Sequence, residues 1–269
     1  MTAPEWLDEL PLEPGPPWLG MGTRNLQPDA WLIADQDRAR DLERKAALVH
    51  ERHADVFAAL ETPTVLQASA EVLTLVMEAI GLEIAPVGLH ALDAAGRLVQ
   101  EDLCLLVLRD GAPHLDAASL CFPSYWRLAD KLGRPLAAVH GPVAHYADEL
   151  AHKVDTFVQR LRPDRAVWRR NWSIHDDPSY FLADPTPPYI GSAPDGLYLR
   201  TERQTLQRLR TADAVLFTIR TQQVPLAVLA ERPDVAQRMA AAIASWSPAL
   251  AAYKGDHGAL AALEWLASR

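Results

Sequence analysis

The residues with the most chemistry to offer are concentrated in the second half of the chain. Between Arg160 and Arg170 stand five arginines and one acid, in a protein whose formal charge is -9. The run Asn171-Trp172-Ser173-Ile174-His175-Asp176-Asp177 follows. After a long loop comes Leu199-Arg200-Thr201-Glu202-Arg203-Gln204-Thr205-Leu206. A neutral imidazole is a good metal ligand, and cations beside a helix start can hold an anion. Thr201 with Gln204 has the spacing of a capping box, which predicts a helix start with Arg200 just outside it and Glu202 and Arg203 in its first turn. A strand-end histidine facing such a helix suits an anionic prosthetic group held by an imidazole. Each feature also has a plain alternative: a solvated arginine-rich face, a hydrogen-bonding turn histidine, or surface charge that steadies a helix start.

These residues need a frame. Residues 1–30 are rich in Pro and Trp and read as an extended arm. From Gln36 to Leu60 the apolar residues Leu42, Ala46, Val49, Val56, Phe57 and Leu60 form a helical stripe. Pro63 suits the first turn of a second helix, Thr64 to Ile80, which Gly81 stops, with a stripe of Leu66, Leu73, Val76, Met77 and Ile80. Leu103 to Leu108 is an apolar run of strand length, Asp110-Gly111 is a turn, and Ala112 to Phe122 is its partner strand. Ser124 is placed to cap a short helix ending before Gly133, and a further helix spans about Ala147 to Leu161, burying Leu150, Val154, Phe157 and Leu161. Ala166 to Trp172 and Ala214 to Arg220 are strand-like by their branched and aromatic content. The Pro-rich stretch between them is a loop, and the alanine-rich chain beyond Pro233 is helical. The pattern predicts one α+β domain over residues 1–269, helices at both ends and strands in the middle.

Composition narrows the function. With 49% hydrophobic and 23% charged residues, the chain is that of a globular protein. Lys+Arg 26 against Asp+Glu 35 disfavours a non-specific grip on nucleic acid or an anionic membrane. No apolar run approaches the ~18 residues of a membrane span. The opening MTAPEWLDEL carries acids where a signal peptide carries bases, and only Cys104 and Cys121 are present, so a reduced, cytoplasmic location is expected. The chain has no G-x-G-x-x-G, no P-loop, no H-E-x-x-H, no C-x-x-C and no G-x-S-x-G, which disfavours common dehydrogenases, kinases, metalloproteases and hydrolases.

Several unusual words occur in a fixed order: Leu98-Val-Gln-Glu-Asp-Leu-Cys-Leu-Leu106, Phe122-Pro-Ser-Tyr-Trp126, Lys131-Leu-Gly-Arg-Pro135, Val139-His-Gly-Pro-Val143, Asn171-Trp-Ser-Ile-His175, Leu199-Arg-Thr-Glu-Arg-Gln-Thr205 and Tyr253-Lys-Gly255. In these the chain resembles the haem-binding alpha subunit of the haem-dependent oxidative N-demethylases, the dimethylamine monooxygenase-like family. It departs from the family pattern at His145, Gln207 and Gln222-Gln223. The resemblance implies a PAS-like fold, a curved antiparallel sheet with flanking helices. It implies non-covalent haem b with His175 as axial iron ligand and His140 as the rival. Arg200, Glu202 and Tyr146 would line the pocket where O2 meets a small alkylamine, and Arg203, Trp172 and Arg170 would lie around the haem. Electrons would come from a separate flavin or iron–sulfur reductase, since this chain has no fingerprint for either group. The alternatives are a haem- or small-ligand-binding sensor module without turnover, and a structural partner that binds no haem.

Overall fold

The computed structural model describes residues 2–13, 22–27, 29–139, 151–184, 196–248 and 257–268. Its strands are β1 (Arg24–Asn25), β2 (Phe57–Ala59), β3 (Asp102–Arg109), β4 (Ala112–Ser119), β5 (Ala166–His175), β6 (Tyr198–Arg208) and β7 (Ala214–Pro225). They form one sheet in the order β1-β5-β6-β7-β3-β4-β2, with every pairing antiparallel. The helices are α1 (Arg38–Val56), α2 (Pro63–Ile80), α3 (Ala91–Gly96), α4 (Leu128–Lys131), α5 (Leu136–Val139), α6 (Ala151–Arg160), α7 (Pro233–Ala244) and α8 (His257–Ala267). The architecture is α+β, an open curved antiparallel sheet with flanking helices. No helix among the described residues is long and apolar enough to cross a membrane.

The β3–β4 hairpin turns at Asp110-Gly111, both at positive φ (52° and 73°). Helix α2 begins with Pro63 in its first turn, where the missing N–H costs nothing, and the Thr62 hydroxyl accepts from Val65 N at 3.2 Å. Gly81 closes it in the left-handed conformation. Its buried stripe is Val65, Ala68, Val72 and Val76, rotated from the expected one; Leu66 is 48% exposed. The polar residues Thr64, Gln67, Glu71, Thr74 and Glu78 line one side of the helix, and the buried stripe lies opposite them, where the small Ala68 and Ser69 allow the closer approach. Helix α1 departs more sharply. Beside Val49 and Val56 it buries Asp41 and Lys45. Lys45 Nζ donates to the carbonyls of Val99 and Glu101 at 3.0 and 2.6 Å and lies 3.7 Å from Asp102.

Two further expectations are corrected. The first 30 residues include a 3-10 turn (Glu5–Glu9), where Leu7, Leu10 and Leu12 bury against α7 and α8, and the strand β1, which pairs with β5. The segment expected to open a helix at Thr201 is the middle of β6. Thr201, Arg203 and Thr205 are buried at every second position, and the β-branched threonines fit that pleat. Paired on both sides by β5 and β7, the segment satisfies its backbone in the sheet, and the capping-box spacing is coincidental. Strands β5 and β7 also run further than expected, to His175 and Pro225.

Strand alternation gives the sheet two distinct faces. On the first, Leu103, Leu105 and Leu216 pack against α2, while Trp172, Ile174 and Leu199 pack against α7, α8 and the N-terminal leucines. On the second, Cys104, Leu106, Val215 and Ile219 meet Leu128, Leu136, Val158 and Leu161 from the α4–α6 region. Further along β5 and β6, this second face becomes polar.

Candidate functional site

The polar end of the second face is built by the β5–β6 ladder, in which Asn171 pairs with Glu202, Ser173 with Arg200 and His175 with Tyr198. Paired residues share a face, so His175, Arg200 and Glu202 are brought together on one side of the sheet. His175 is the last residue of β5 and 1% exposed. Burial, and next the nearby positive charge of Arg200, pull its pKa down to about 4, so the imidazole is neutral. Neither ring nitrogen makes a well-formed hydrogen bond. Among the described residues no other side chain leaves two buried polar atoms without a partner.

Arg200 is also 1% exposed, and its donors are committed. Nη2 donates to the carbonyls of Phe122 (2.8 Å), Tyr180 (3.1 Å) and Pro123 (3.2 Å), and Nε to Ser124 Oγ (3.0 Å). Ser124 Oγ in turn donates to Glu202 Oε1 at 2.7 Å. Glu202 Oε2 accepts from Asn171 Nδ2 at 3.0 Å and Gln204 Nε2 at 2.8 Å. The carboxylate is therefore held by three donors and retains acceptor capacity. It lies four residues of strand from the His175 register position, roughly 13 Å at about 3.3 Å per residue.

Ser124 is not a helix cap. The short helix starts at Leu128, and Ser124 instead forms a parallel bridge with Leu182 while linking Arg200 to Glu202. The next residue, Tyr125, has φ +61° and sets its ring edge-to-face against His175, centroids 6.0 Å apart at 83°. As site residues, sequence reasoning missed Ser124, Tyr125, Asn171 and Gln204, reading Ser124 and Gln204 only as helix-capping residues. The only signal for the first two was their place in the unusual word Phe122-Pro-Ser-Tyr-Trp126.

The remaining expected residues are elsewhere. Arg170 and Arg203 pair with each other in the ladder but occupy the first face. There Arg203 donates to Ala30 O at 2.7 Å and stacks over Trp168, and Arg170 bonds Glu9 and Gln222. Trp172 shares that face and donates its indole N–H to Pro11 O at 3.1 Å. The structure does not bring these three together with His175. His140 and Tyr146, like His145, lie outside the described residues.

No group of three or more His, Cys, Asp or Glu side chains among the described residues converges to hold a bare metal ion. A haem iron asks less of a protein, because the porphyrin supplies four of its ligands and one axial imidazole suffices. The site thus defines a β-sheet protein with a buried, neutral histidine that lacks a well-formed hydrogen bond, on the same sheet face as a hydrogen-bonded carboxylate. A family model described as "Haem-dependent oxidative N-demethylase, alpha subunit-like" matches residues 80–263, about two thirds of the chain, and the protein belongs to that family. The match begins at the end of α2 and takes in every residue of the site just described.

Proposed function

We propose that this chain, read as one haem-binding domain, is the oxygen-activating subunit of an enzyme that removes a methyl group from a small, dimethylamine-like alkylamine. The balanced reaction consumes the amine, O2, two electrons and two protons and yields the demethylated amine, formaldehyde and water. The electrons are drawn from a separate reductase chain. The observation that carries this reading is His175: a fully buried, neutral imidazole with no well-formed hydrogen bond on either nitrogen among the described residues, in a family of haem-dependent proteins. An unpaired buried imidazole is costly unless something binds it. Haem b fits that donor, and when bound it supplies the iron chemistry that reduces O2 and oxidises the methyl group.

The chain's own residues do the rest. His175 would ligate the iron through a ring nitrogen. Glu202, with acceptor capacity left over, would receive the N–H of the protonated amine in a charge-assisted hydrogen bond. Asn171, Gln204 and Ser124 keep its two oxygens in place, so the cation meets an oriented carboxylate. Arg200 serves the site as a brace, since its hydrogen bonds already go to carbonyls and to Ser124. A cytoplasmic setting is supported by Cys104 and Cys121, both buried as free thiols.

Absorption spectra of purified wild type, His175→Ala and Glu202→Gln test the reading. Wild type should carry a Soret band that His175→Ala loses or shifts, and amine titration should perturb the band. Glu202→Gln should keep its haem and bind amine roughly one to two orders of magnitude more weakly, as expected for a lost charged hydrogen bond. Unchanged haem binding in His175→Ala would overturn the ligand assignment. A haem protein blind to amines would be a sensor module, and the enzyme reading would fall.

A further inference from the structure

We propose that Tyr125 is the residue that positions the His175 imidazole. Metal-bound histidines ordinarily donate their second ring N–H to a carboxylate or carbonyl, which fixes the ring plane. Among the described residues His175 makes no well-formed bond of this kind, and only the Asp177 backbone comes within weak reach of its ring. What it has is the Tyr125 ring, set perpendicular to it at 6.0 Å. The proposal rests on the reading of His175 as haem ligand for its consequence, but its geometry stands without it.

The way Tyr125 is held supports a positioning role. A bulky side chain at φ +61° is strained, and such backbone persists only where the surroundings impose it. Here every residue leading up to it is tied. Asp102 accepts the N–H groups of Cys121 and Phe122, each at 2.8 Å. Arg200 takes the carbonyls of Phe122 and Pro123. Ser124 is hydrogen-bonded between Arg200 and Glu202, and Tyr125 N donates to Leu182 O at 2.6 Å. Five consecutive residues are thus fixed by groups on β3, β6 and the 179–182 segment, and the last of them delivers its ring to the imidazole. The same guanidinium that braces Glu202 through Ser124 also aims Tyr125, so one buried arginine sets both ends of the site.

The test compares Tyr125→Phe, which keeps the ring, with Tyr125→Gly, which removes it and suits the left-handed backbone. Tyr125→Asn, also tolerant of that conformation, is the second ring-less variant. In haem-free protein labelled at histidine, the His175 ring signal should stay single and sharp in wild type and Tyr125→Phe. It should broaden or split in the ring-less variants. In haem-loaded protein the iron–histidine stretching band should broaden, and transfer of haem to an acceptor globin should quicken by about 10–100-fold, the usual effect of losing a ligand's support; Tyr125→Phe should restore both. A folded ring-less variant with an unchanged His175 signal and unchanged haem release overturns the proposal. Wild type that takes up no haem would instead sink the proposed function, and the haem-free spectra would still decide the role of Tyr125.

Discussion

The two faces of the sheet carry buried cations on the same central strands and settle them differently. On the first face Arg170, Arg203 and Arg220 stand in one lateral row across β5, β6 and β7. Like charges side by side on neighbouring strands repel, and the chain answers with carboxylates. Glu9 meets Arg170, and Asp35 and Asp41 meet Arg220 at 2.7 and 2.9 Å. On the second face Arg200 has no direct carboxylate partner among the described residues and is satisfied by backbone carbonyls and a hydroxyl. Near it an imidazole has no well-formed hydrogen bond among the described residues. The first arrangement sets carboxylates against two of its three arginines and holds Arg203 by the Ala30 carbonyl and the Trp168 ring, and it is architecture. The second fixes loops rigidly while leaving one imidazole open, which is what a ligand site requires.

The largest expected effect comes from breaking the closed face. Arg220→Ala takes the shared cation from Asp35 and from the buried Asp41, which keeps only Arg44 and Gln100, and unfolding by denaturant should show a loss of about 3–5 kcal/mol. Next is acid. The folded His175 pKa of about 4 lies below its ordinary 6.5, so the unfolded chain takes up a proton that the folded chain refuses between those values. Stability from this group is full above pH 6.5 and declines as pH falls toward 4, by roughly 3 kcal/mol at about 1.4 kcal/mol per unit. Haem-free wild type compared with His175→Leu across that window should show a steeper slope in wild type, the difference being the His175 contribution, since His90 titrates in the same sense in both.

The same variant gives the third effect, with the opposite sign to the first. Replacing an unpartnered polar ring with an aliphatic of similar size should leave the haem-free fold unchanged or about 1–2 kcal/mol more stable at neutral pH, while haem binding is lost. A large destabilisation by His175→Leu would mean that the second face is as closed as the first. The smallest effect is Glu9→Gln. Glu9 is partly exposed, its carboxylate side chain 42% open to solvent, so its loss should cost under about 1 kcal/mol in thermal or chemical unfolding.

Much of the frame was legible because local chemistry and tertiary packing agree. The Leu103 to Leu108 run followed by Asp110-Gly111 could hardly be anything but a hairpin, and Pro63 and Gly81 bracket α2 unambiguously. Legibility failed where one local signal had a tertiary competitor. Thr201 and Gln204 satisfy a capping-box spacing, yet pairing on both edges made the segment the inner strand β6. Asp41 and Lys45 look like the wet side of α1 until their partners Arg220 and Asp102, far off in sequence, are known. Of the site, His175, Arg200 and Glu202 were named from the sequence and share a face. Arg170, Arg203 and Trp172 were named too, but strand parity turns them the other way. Tyr125 was invisible because nothing in a sequence marks a tyrosine held at positive φ.

The outer edge of β4 has a consequence for how the chain reaches its native state. Residues Ala117–Ser119 are covered by β2, Asp116 O by the N–H of Leu60, Leu115 by Gly133 and Arg134, and His114 by Pro135. The seal is thus made of short pieces from both before and after the hairpin in sequence. The hairpin itself is local and can form early, whereas its cover must arrive from elsewhere. Until it does, an apolar strand pair presents an open row of N–H and C=O groups to any neighbouring chain. Newly made or refolding protein is therefore most prone to self-association in that interval, and yield should fall with concentration during folding rather than after it.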